Sequence, residues 1–162
     1  MSVKKSLILL LIILVTVLQC TILNRIRIFN VKPDILLSLV VFFSLYYGRS
    51  YALAVGAFCG VLAEATCGLP SGYVIFAYSL GGLILGHLAR WINKQTAFSE
   101  IAISFIFSFV IYSFLSVVLL QNFNTDLSLF KALIFIVFPA SFYTALCAPI
   151  TFRFLKTVLS IS

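Results

Sequence analysis

Acidic residues are almost missing from this chain. Asp34, Glu64, Glu100 and Asp126 stand against eleven Lys and Arg, and charged residues make up only 9% of the 162 positions. A soluble domain carries about 25% charged residues. Hydrophobic residues reach 63%, and mean hydropathy is +1.21. A chain this poor in polar side chains cannot clothe a soluble core. It reads as an all-α, polytopic membrane protein, a single integral membrane domain over residues 1–162. Histidine occurs once, as His87, and the four cysteines (Cys20, Cys59, Cys67, Cys147) stand apart in apolar runs with no C-x-x-C. They read as small buried hydrophobes. No nucleophile–base pair, phosphate loop or metal-ligand spacing is present, so no catalytic, metal or cofactor site is expected. The net charge of +7 does not suggest nucleic acid. The basic residues stand singly at the ends of apolar runs, with no basic stripe between aromatics.

What is there is a series of apolar segments. A helix needs about 20 residues to cross a hydrocarbon core of about 30 Å. Six spans are expected, with short loops: Ser6–Leu23, Asp34–Tyr47, Ser50–Thr66, Gly72–Trp91, Glu100–Gln121 and about Leu127–Leu155. The first begins after Lys4 and Lys5 and lacks a small-x-small cleavage site, so it reads as an uncleaved helix. The second is short, about 21 Å long at 1.5 Å per residue. Pro33 suits its first turn and Asp34 complements its positive end. Pro139 and Pro149 should kink the sixth. Lys4, Lys5, Arg49, Arg90, Lys94, Arg153 and Lys156 fall on one side, and Arg25, Arg27, Lys32 and Lys131 on the other. Seven against four places both termini in the cytoplasm.

All eight glycines lie between Gly48 and Gly86. Gly48, Gly56, Gly60, Gly68, Gly72, Gly82 and Gly86 include a ladder at spacing four, interrupted by Ala52 and Glu64. Small residues at this spacing let two helix backbones approach closely. The ladder serves either internal packing or a partner interface. Glu64 is the one acid counted well inside an expected span, where such groups are rare and need partners. Its carboxylate either reaches water or caps the next helix, or it anchors the contact with a neighbour. A proton relay needs more ionisable groups than that. The strip Asn24–Lys32 holds Arg25, Arg27 and Lys32 on the expected outer side. It fits either anionic lipid headgroups or a periplasmic partner.

The order of these pieces resembles the rod shape-determining protein MreD family. The resemblance rests on Gln19, on Pro33-Asp34-Ile35-Leu36-Leu37, on Gly48, on the run Gly56–Glu64, on Gly68-Leu69-Pro70-Ser71-Gly72, and on Tyr78, Gly82 and Gly86. It covers about half the chain, from Gln19 to Trp91; the last two helices match only in hydropathy. The family pattern usually has Asp where this chain has Glu64, so the charge is kept on a longer arm. The resemblance implies a non-catalytic scaffold of the bacterial cell-elongation complex in the inner membrane. MreC would be its direct partner, with MreB, RodA and a class B penicillin-binding transpeptidase in the same assembly. The six-helix, short-loop layout is also similar to the substrate-binding components of energy-coupling-factor transporters. That likeness gives the alternative expectation of a vitamin-type binding subunit.

Overall fold

A computed structural model describes residues 12–17, 33–67, 72–89, 91, 97–123 and 129–159. The described residues are helical, with no strand among them. A short helical stretch, α1, covers 12–17. It is followed by α2 (Ile35–Tyr46), α3 (Arg49–Cys67), α4 (Tyr73–Leu88) and α5 (Ala97–Phe123). The last helix, α6, runs unbroken over 129–159. It comprises an α-turn at Leu129–Ala132, a π-helical segment at Leu133–Val137 and an α-helix at Phe138–Leu159.

Every residue of α2 from Leu36 to Leu45 is buried. A helix that is apolar all round has no solvent face to present and suits either lipid or the centre of a bundle. α2 takes the centre, packed against α3, α4, α5 and α6. It has 12 residues, or about 18 Å of length, whereas α5 has 27, or about 40 Å. The central helix is therefore a half-length element inside longer neighbours.

α2 and α3 are joined through Tyr47 and Gly48. Gly48 has φ +82°, a left-handed conformation that side-chain-bearing residues adopt only with strain. α3 and α4 form the most extensive helix pair, and α5 packs along α6. The expected disturbance at Pro139 takes a definite form. Proline lacks an N–H and its ring crowds the carbonyl four residues back. Here a π-helical segment ends two residues before it, and the Phe138 N–H reaches back to the Leu133 carbonyl. The wider π-turn takes up the mismatch. At Pro149 the helix continues.

Two helical stretches, Phe98–Gln121 and Phe130–Leu159, are long and apolar enough to cross a membrane.

Candidate functional site

The glycine ladder is divided among different contacts. Gly56 and Gly60 on α3 face the backbone of α4. A Cβ at Gly56 would lie 2.5 Å from the Tyr78 carbonyl oxygen, and one at Gly60 2.5 Å from Ile75 Cα. From the other side, a Cβ at Gly82 would lie 2.8 Å from the Ala52 oxygen, and one at Gly86 2.8 Å from Arg49 Cα. The two helices cross backbone on backbone, as small residues at spacing four allow. Gly81 instead meets the side chains of Phe107 and Ile111 on α5. Gly48 and Gly72 sit at turns, with open space around them. Gly68 lies outside the described residues, as do Arg25, Arg27 and Lys32.

Glu64 sits at the far end of this crossing and is only 5% exposed. Its Oε1 accepts from the Val74 N–H at 2.8 Å and the Ile75 N–H at 3.4 Å, and its Oε2 from the Gly72 N–H at 3.0 Å. The first N–H groups of a helix lack intrahelical partners and carry its positive dipole end. The N-cap of α4 is Gly72, which has φ +75° and no side chain to cap with. The carboxylate of α3 supplies that cap from outside. Of the roles weighed for Glu64, the structure places it at the next helix's N-terminus. It also pins the axial position of α3 against α4.

Removing this carboxylate should cost about 1.5–3 kcal/mol, the range for hydrogen bonds to charged groups. We expect Glu64→Ala to lower the melting temperature in detergent. Glu64→Asp should recover only part of the loss, because the shorter arm cannot reach all three N–H groups. Full stability in Glu64→Ala would show that the cap is idle.

A second group surrounds the start of α2. Asp34 is its N-cap, and its Oδ1 accepts from the Leu37 N–H at 3.1 Å. Its Oδ2 accepts from the Tyr78 hydroxyl of α4, and Tyr78 is 2% exposed. The Asp34 N–H donates to Thr144 Oγ1 of α6 at 3.2 Å. The Tyr112 hydroxyl of α5 stands 3.5 Å from the same Thr144 oxygen. One residue at a helix start thus ties α2 to α4, and through Thr144 to α5 and α6. Thr144 and Tyr112 lie near the middle of their long helices, so α2 begins at mid-length of the α5–α6 pair.

A third group closes the other end of α2. Glu100, 5% exposed, accepts from Lys156 Nζ at 2.6 Å and from the Tyr46 hydroxyl at 3.1 Å on the same Oε1. The ammonium also stands 5.1 Å from the centre of the Tyr46 ring. Glu64 is therefore not the only deeply placed acid, and the expectation that it was is corrected: α5 starts at Ala97, which puts Glu100 inside the helix. In the sequence Glu100 stands at the start of an expected span and Lys156 among the flanking basic residues, so nothing there pairs them. The sequence does show a polar stripe on α5, in Glu100, Ser104, Ser108 and Tyr112 at intervals of four, but the stripe does not name the partner helix.

His87 is exposed in the last turn of α4. Among the described residues, no three His, Cys, Asp or Glu side chains are grouped to hold a metal ion. An apolar groove of about 430 Å³ runs between α4 and α5, lined by Phe76, Leu80, Ile84, Ile106, Val110 and Phe114 among others.

Compared with family models, with curated proteins and with solved structures, the chain finds no match. The functional reading therefore rests on the residues themselves.

Proposed function

We propose that this protein is a multi-pass component of the bacterial inner membrane that acts as a non-catalytic scaffold in the cell-elongation complex. In this reading it is MreD-like and pairs with MreC. Through MreC it couples MreB filaments to the peptidoglycan-synthesising RodA and class B transpeptidase. The membrane part of the reading is supported by an inside-out distribution of polarity. Large apolar side chains such as Leu53, Val61, Phe76, Ile84, Ile106, Val110, Phe142 and Ile150 are exposed, whereas Glu64, Glu100, Ser104, Ser108, Ser141 and Thr144 are buried. Lipid tolerates the first and penalises the second. Both termini are assigned to the cytoplasm from the basic-residue count, with six spans.

One observation carries the elongation reading. Of the residues behind the MreD resemblance, those that the structure describes come together in one packing unit, although scattered in sequence. Asp34 bonds Tyr78, Glu64 caps α4, Gly56 and Gly60 meet α4, and Gly82 and Gly86 meet α3. A pattern of weak single matches gains weight when its members depend on one another physically. Such a rigid three-helix unit, braced by the α5–α6 pair, suits a part that positions partners.

The test is depletion in a rod-shaped host together with co-purification of MreC. Rounded cells and retained MreC are expected. Unchanged rods would overturn the elongation reading. A stoichiometric vitamin carried through purification would favour the transporter reading instead.

A further inference from the structure

Three helices share one interval in this bundle. α5 carries Glu100, Ser104, Ser108 and Tyr112; α6 carries Thr144, Ala148, Phe152 and Lys156; α2 carries Asp34, Ser38, Phe42 and Tyr46. Contacts between the helices fix their register in three of four layers. Glu100, Lys156 and Tyr46 form the first. In the second, the Phe42 and Phe152 rings stand 5.4 Å apart; the register places Ser104 beside them. Asp34, Thr144 and Tyr112 form the fourth.

The third layer then consists of Ser38, Ser108 and Ala148. All three side chains are small, at 1%, 0% and 0% exposure. The layers on either side hold the larger side chains Phe42, Phe152 and Tyr112. Ser38 Oγ leans to the Asp34 carbonyl at 3.3 Å. Ser104 Oγ and Ser108 Oγ are fully buried and have no protein partner. Buried hydroxyls left unpaired are costly, and interior water is the usual remedy, each molecule making about three hydrogen bonds. The dimensions agree. Four residues of helix advance about 6 Å. One water bonded on both sides at about 2.8 Å bridges about 5.6 Å.

We propose that the Ser38–Ser108–Ala148 layer is an internal water-binding site. Its water satisfies Ser108 and Ser104. Through Ser38, which donates to the Asp34 carbonyl, it also ties both serines of α5 to the start of α2. Water fits better than a cation. The layer offers hydroxyls and no carboxylate, and Glu100 already holds an ammonium. The proposal rests on the register of α2, α5 and α6 and stands apart from the elongation reading.

Water-edited solid-state NMR of the full chain in phospholipid vesicles tests it, with water protons as the probe. Magnetisation should reach the Ser108 and Ser104 side chains several-fold faster than Val40 and Val41, which lie in the fully buried apolar core. Transfer as slow as at Val40 overturns the proposal in the wild-type protein alone. In Ser108→Ala, transfer to Ser104 and Thr144 should fall. A raised melting temperature with transfer unchanged would instead mean that an orphan hydroxyl had been removed, and would equally overturn it.

Discussion

A double Gly56→Leu/Gly60→Leu variant is expected to yield no stably folded protein. At each position the first added carbon would lie 2.5 Å from backbone atoms of α4. Backbone cannot rotate aside as a side chain can, so α3 and α4 must separate along their crossing. Overpacking costs about 1–3 kcal/mol per site. Separation also withdraws Glu64 from the N–H groups of Gly72 and Val74, adding about 1.5–3 kcal/mol. The total approaches a stability of about 5–15 kcal/mol. Gly56→Ala and Gly60→Ala should each show a graded loss. Size-exclusion profile and thermal melting in detergent measure the effect. A Leu variant that melts like the wild type but no longer retains MreC would reverse this reading. The ladder would then be a partner interface rather than the internal seam of the α3–α4 pair.

The ladder was legible as a close-approach signal because glycine at spacing four has a geometric meaning of its own. Which surface it meets was not legible, since the partner backbone of Gly60 begins at Ile75, across a turn, and its identity depends on the crossing angle. The short second helix was visible in its length, and Asp34 and Pro33 marked its start. Its place at the centre was hidden, because uniform hydropathy reads alike for a helix in lipid and a helix among helices. The Tyr78 bond to Asp34 and the Lys156 bond to Glu100 join positions far apart in the chain. No local pattern encodes them: the first depends on how α2 packs against α4, and the second on the antiparallel register of α5 and α6. Ser104 and Ser108 carry no distinguishing signal in the sequence, since serine in apolar helices commonly bonds its own backbone, as Ser44 and Ser113 do here. The fold class thus follows from composition and spacing, whereas the polar ties follow from packing.

Asp34→Ala should be the most damaging single polar substitution in the bundle. It removes the α2 N-cap, a loss of about 1 kcal/mol. It also leaves the Tyr78 hydroxyl unpaired in a side chain that is 2% exposed, at about 1–3 kcal/mol. A loss of about 2–4 kcal/mol is expected from these two terms together. Tyr78→Phe should cost less, because it deletes the donor along with its need for a partner. In the Asp34→Ala background, Tyr78→Phe should be near neutral or stabilising. The four proteins form a double-mutant cycle, read by reversible unfolding in mixed micelles. Neutral hydrogen bonds between membrane helices average only roughly 0.6 kcal/mol. A coupling of about 1.5 kcal/mol or more would identify a charge-assisted bond between the half-length helix and α4. Additive single effects would show that Asp34 serves only its own helix, and that α2 is held in place by apolar packing. The consequence extends to the scaffold reading. If the tie is real, Asp34→Ala should loosen the unit formed by α2, α3 and α4, and a host depending on this variant should round as it does on depletion, even when the variant inserts at normal levels.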